Sequence, residues 1–239
     1  MIWLIIILVI IVVSFILALR SMRTYKEVPT TKFPYGIFLI KNEELLLENG
    51  VMNKLYDFCV ESNAIISLER LFNGNEKALV LYAPQNVGQF VSELALLEIE
   101  DYLLKAPKSP QKKVLIDEAV VWSIKPKNES DLVIKPGFLK DLNLEPSQNF
   151  FWQIIMVAAK QKFHFQINIR AAILESDVHK KIELAKFISK HIADESSLER
   201  NSKSSDSIAL LFMEYQKRII TPSEAEGFVL SSQTLKQLL

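Results

Sequence analysis

Residues 163–173 read FHFQINIRAAI. Phe163, Phe165, Ile167, Ile169, Ala171 and Ile173 occupy alternate positions, with His164, Gln166, Asn168 and Arg170 between them. Successive side chains of a strand point to opposite faces, so the stretch predicts a β-strand with one apolar and one polar side. Antiparallel sheets tolerate one wet face, which makes them the sheet type this pattern fits. Upstream, Phe150 to Ala158 (FFWQIIMVA) is short, apolar and aromatic. It reads as a second strand, with Lys160-Gln161 closing a hairpin. Downstream, Ser176 is placed to cap a helix running to about Ala193, with Val178, Ile182, Ala185, Ile188 and Ile192 on one face. Asp177 at its start and Lys190 and His191 near its end suit the helix dipole. Beyond the polar run Asp194 to Ser207, Ile208 to Ile220 reads as a last strand.

Working back, Gly137 to Leu144 suggests a short helix and Val114 to Ser123 a strand. Lys105 to Lys113 (KAPKSPQKK) carries two prolines and four lysines and reads as a basic linker. Before it lies a comparable series. Gly36 to Lys41 is strand-like, and Val51 to Ser62 is helical with Met52, Leu55, Phe58 and Cys59 on one face. Ala64 to Phe72 and Lys77 to Ala83 are β-type runs joined through Asn73-Gly74, which supplies the positive φ of a tight hairpin. Pro84 opens a further helical pattern through Val87, Phe90, Val91 and Leu94, and Leu97 to Leu103 alternates again. Each half therefore predicts the order β-α-β-β-α-β. The expected architecture is α+β: an N-terminal transmembrane helix followed by two tandem ferredoxin-like units with antiparallel sheets. Its segments are an anchor over 1–23, a tether over 24–34, a first unit over 35–104, the linker over 105–113, a second unit over 114–220 and a tail over 221–239.

The anchor is read from Ile2 to Leu19 (IWLIIILVIIVVSFILAL), in which Ser14 is the one polar residue. Such a run in lipid satisfies its backbone only as a helix, and at about 1.5 Å per residue it covers roughly 27 Å. Ile2, Trp3, Phe15 and Leu19 belong to the apolar body, and Arg20, Arg23 and Lys26 follow it. The positive flank predicts a single pass through the inner (cytoplasmic) membrane, with the N-terminus outside and the domain in the cytoplasm. Thr24 to Pro34 lacks apolar periodicity and reads as an extended tether.

The 28 basic and 28 acidic residues cancel, which argues against a strongly basic nucleic-acid-binding face. The single cysteine, Cys59, excludes an internal disulfide and falls on the apolar side of a helix, as a small core residue does. Six glycines are scattered, with no GK[ST] anywhere, so no phosphate-cradling loop is predicted. His164, His179 and His191 are too far apart in sequence and along the helix to share a metal. No GxSxG is present, and the neighbours Asp117 and Glu118 point to opposite faces of a strand. The expectation is a protein with no catalytic residues, no cofactor and no metal. The polar row His164, Gln166, Asn168 and Arg170 is either a solvated sheet surface or a docking face, and it is the candidate binding site.

Three phrases carry a resemblance: Leu97 to Tyr102 (LEIEDY), Asn168 to Ala171 (NIRA) before a long helix, and Phe228 to Leu239 (FVLSSQTLKQLL). With the anchor and the order of elements, the chain resembles the membrane-anchored non-motor N-terminal region of conjugation-type (type IV secretion) motor ATPases. The resemblance implies a membrane-tethered docking or scaffold module. No motor sequence follows through Leu239, so the implied partner is a separate motor ATPase. The alternative expectation is a membrane-anchored adaptor that binds a protein or small ligand outside any secretion system. Oligomeric state is not legible from the sequence.

Overall fold

A computed structural model describes residues 32–102, 119–127, 133–135, 137–139, 141–146, 148–201, 215–218 and 228–239, together with Ser14. The elements in chain order are β1 (Tyr35–Leu39), α1 (Glu43–Leu46), α2 (Asn49–Ser62), β2 (Ile66–Asn73), β3 (Glu76–Pro84) and β4 (Leu97–Ile99). There follow β5 (Ala119–Pro126), β6 (Asn149–Ala158), β7 (His164–Leu174), α3 (Val178–Glu195), β8 (Leu198–Arg200), β9 (Val229–Ser231) and α4 (Ser232–Leu235).

Among the described residues nine strands join one antiparallel sheet in the order β4-β1-β3-β2-β6-β7-β5-β8, with β9 beside the start of β7. This overturns the expectation of two tandem ferredoxin-like units. The join is the β2–β6 ladder, which runs from Ile66↔Met156 to Asn73↔Asn149. Both strands are buried over most of their length, so each lies inside the sheet with a partner on either side. A run apolar enough to be covered on both faces gains by pairing both of its edges as well. The expected helix after Pro84 is two 3₁₀ turns, Gln85–Gln89 and Ser92–Leu94. Its apolar positions Val87, Val91 and Leu94 are nevertheless buried, so spacing located the core side chains but not the helix type.

The membrane-spanning element is likewise corrected. Among the described residues no helix is long and apolar enough to cross a membrane, and the single-pass architecture is withdrawn. Ile2, Trp3, Phe15, Leu19, Arg20 and Arg23 lie outside the described residues, as do the linker over 105–113 and most of Ile208 to Ile220. Where that expected strand is described, residues 215–217 form a helical turn.

Local chemistry explains the elements that match. Asn73 pairs with Glu76 across the β2–β3 hairpin, and Gly74 sits at φ +56°, the left-handed region. A Cβ there would also lie 2.7 Å from the Pro146 backbone, so only glycine fits. Helix α2 ends at Asn63 in the left-handed conformation, which asparagine tolerates. Helix α3 is capped by Asp177, one residue later than expected: its carboxylate accepts the amides of His179 at 2.8 Å and Lys180 at 3.0 Å.

One sheet face carries the main core. Met52, Leu55 and Phe58 from α2, Leu184 and Ile188 from α3, and Leu235 from α4 pack with Leu68, Trp152, Ile167 and Ile169. Arg70 emerges on this side, donating to Glu43 Oε2 at 2.6 Å and to the Leu239 carbonyl at 3.0 Å. Cys59 is buried here, and burial pushes its thiol far above the ordinary range. The thiolate is the reactive form, so the folded protein should react with Ellman's reagent on the order of a hundredfold more slowly than in urea. Equal rates in the two conditions would show that this face of α2 is open.

Candidate functional site

The second sheet face follows from the register. Val80, Glu69, Gln153, Arg170 and Ser123 lie side by side across five strands. The predicted strand alternation places Asn168 and Arg170 on this face, as expected, yet Arg170 is fully buried and Asn168 nearly so. His164 and Gln166 are half-buried near β9, with His164 Nδ1 2.9 Å from the Lys162 carbonyl oxygen. The four residues therefore do not form one exposed row. Their wet end is short, and the far end lies under other parts of the chain.

Beside the buried end of the row, where Gln153 neighbours Arg170, lies an ionic cluster that sequence reasoning missed. Glu69 is fully buried, and its carboxylate receives five donors. Ser67 Oγ (2.8 Å), Gln153 Nε2 (3.0 Å) and Arg218 Nε (2.7 Å) reach Oε1. Tyr102 OH (2.6 Å) and Arg218 Nη2 (3.2 Å) reach Oε2. Arg218 Nη1 extends to Asp101 Oδ2 at 3.1 Å, and the guanidinium lies 4.6 Å from the Tyr82 ring centroid. Tyr215, also fully buried, meets the Tyr102 hydroxyl at 3.1 Å, and its carbonyl accepts from Gln153.

The electrostatics make this cluster a fastener. Burial, and then the Glu69 charge, raise the Tyr102 hydroxyl well above its usual range, and Tyr215 is raised for the same two reasons. Both phenols stay protonated and remain donors. Burial alone would lower Arg218, but the charge and hydrogen bonds of Glu69 outweigh it and hold the guanidinium above its ordinary value. Arg218 sits at φ +52°, just after the helical turn at residues 215–217. A non-glycine residue there costs about 1–2 kcal/mol, which the buried ion pair offsets. With five donors on one carboxylate and an acidic group at each end of the guanidinium, the Glu69–Arg218 pair is saturated, while Gln153 Oε1 is buried without a hydrogen-bond partner among the described residues. The cluster ties residues 215–218 and Tyr102 to the centre of the sheet. The signal for it was Glu69-Arg70 inside the apolar run AIISLERLF, where neighbouring charges must point to opposite faces. Arg218 stands in a stretch that gives no such signal.

The described residues contain no group of three His, Cys, Asp or Glu placed to hold a metal ion. His191 Nε2 lies 2.6 Å from the Phe138 carbonyl oxygen, far in the fold from His164.

A different surface remains open. A groove of about 350 Å³ runs between α3 and strands β5 and β8, lined by Val120, Val178, Ile182, Ala185, Lys186 and Arg200, with Lys181 and Ser189 beside them. Val178 is 62% exposed and Ile182 48% exposed, although both belong to the apolar stripe read from the sequence, whose Ile188 and Ile192 are core residues. At 100° per residue, Val178, Ile182, Ala185 and Ser189 form a line turned away from the core residues Leu184 and Ile188. The stripe read from the sequence therefore divides between the core and the groove.

No family model, curated protein or solved structure matches this chain.

Proposed function

We propose that the protein is a docking module that works by holding a protein partner and does no chemistry of its own. The observation that carries the reading is the groove along α3, where valine and isoleucine face solvent at helical spacing. Contiguous exposed apolar surface on a folded domain marks sites of interaction. The saturation of the Glu69–Arg218 pair supports the same reading, because the best-placed ionisable groups are spent on holding the chain together. The sequence resemblance suggests a motor ATPase of conjugation-type secretion as the first partner to examine.

The reading is tested with a photoreactive benzoyl-phenylalanine at position 182 of the full chain, expressed in its own cells. Position 187 is the control, since Phe187 is 49% exposed but lies on the opposite flank of α3. A discrete heavier adduct is expected from position 182 and not from position 187. No adduct from position 182, or the same ladder from both positions, would remove the docking reading.

A further inference from the structure

The groove also specifies what it holds. We propose that its occupant is an amphipathic helix of the partner protein, apolar along one seam and flanked by carboxylates. The inference rests on the docking reading above and adds the chemistry of the partner.

Shape argues for a helix. Val178 to Ser189 spans about 16 Å of α3 at 1.5 Å per residue, three turns in length. Along that line Val178 and Ile182 make a ridge, and Ala185 and Ser189 leave a low floor. Ridges and shallow rows of this kind receive the side chains of a second helix, and i, i+4, i+7 anchors are the usual way a helix enters an apolar groove.

Charge argues for acidic flanks. The exposed charged residues lining the groove are Lys186 and Arg200, with no carboxylate among the lining residues; Lys181 is buried and already engaged within the fold. On the helical wheel Lys186 falls on one shoulder of the apolar line. Arg200 lines the groove from β8, with its guanidinium carbon 5.6 Å from the Trp122 ring centroid. The nearby Glu199 projects to the other side of the strand and pairs with Lys125 at 3.1 Å, so it does not neutralise the rim. Charges at a rim select and orient a partner more than they bind it, so complementary carboxylates are the feature the groove discriminates.

Two labelled 14-residue helical peptides test this by fluorescence anisotropy against the full chain. They share a leucine seam and differ only in flanking glutamates or flanking lysines. The glutamate peptide is expected to bind at least about tenfold more tightly, with the difference shrinking between 50 and 500 mM NaCl. Ile182→Asp should abolish binding of both peptides, and the double variant Lys186→Glu, Arg200→Glu should reverse the preference. Each variant is checked by its melting curve, since these side chains border solvent and their replacement should leave folding intact. Equal binding of the two peptides overturns the proposal, as does a preference that survives the charge reversal. Capture by phosphatidylglycerol vesicles that outcompetes the glutamate peptide also overturns it, in favour of a lipid surface. An adduct at position 182 without charge preference leaves docking standing and removes the acidic helix. Charge preference without an adduct removes both, because the acidic helix rests on the docking reading.

Discussion

Replacing Glu69 with alanine should lower the free energy of unfolding by about 3–5 kcal/mol, most of the stability of an ordinary domain. The cost comes from what remains. The Arg218 side chain is 2% exposed, and without Glu69 it keeps, among the described residues, the more accessible Asp101 as its charged partner. Tyr102, Ser67 and Gln153 lose their common acceptor at the same time. Glu69→Met combined with Arg218→Met should cost less than the sum of the two single changes, because no isolated charge is left behind. The arginine contributes no pH dependence in the usual range. Its folded pKa is raised, so its stabilisation is fully present below the unfolded value, itself above the usual range of pH, and is lost only above it. Urea titrations of the wild type and the four variants measure all of this. A Glu69→Ala loss below about 1 kcal/mol would mean that residues 215–218 are not fastened as described.

Trp152→Ala should cost about 3–5 kcal/mol by a different route, the opening of a cavity. Trp152 is fully buried on β6, between Arg70 of β2 and Ala171 of β7, and packs edge-on against Phe138 with ring centroids 5.6 Å apart. Alanine at the neighbouring position 171 leaves room for the indole. Trp152→Phe should recover most of the loss, since the ring contact and much of the volume return. Chemical denaturation of the three proteins decides the matter. Equal stability of the alanine and phenylalanine variants would point to strain in the wild-type packing instead.

The two residues differ in how visible they were. Trp152 lies in an apolar run that any reading assigns to a core, and the alternation of β7 and the Asn73-Gly74 turn were equally plain. Those signals are local, arising from side chains a few residues apart. The pairing of β2 with β6 is not local, and both strands are apolar enough to suit several neighbours. Nothing in either run names the other, and the two-unit reading failed there. The candidate row at His164, Gln166, Asn168 and Arg170 shows a second limit. Polarity marks the side of the strand that avoids the main core, but a polar side can be roofed by another part of the chain. Glu69 and Arg218 are separated by 149 residues, so the ion pair that joins them has no sequence period to reveal it. The α3 groove was hidden for the opposite reason: Val178 and Ile182 look like core residues because their spacing is that of a core stripe.

The central ladder has a consequence for how fast the chain reaches its native state. Hairpins β2–β3 and β6–β7 close through short turns and can form in microseconds. Their union must wait until Ile66 to Asn73 finds Asn149 to Met156, with a large loop to close before any of that ladder's contacts repay it. Topologies dominated by such distant pairings fold in milliseconds to seconds. During that interval the apolar edges of β2 and β6 are bare, each a template for the same strand in a neighbouring chain. Refolding yield should therefore fall steeply with protein concentration, even though the finished sheet keeps both strands in its interior.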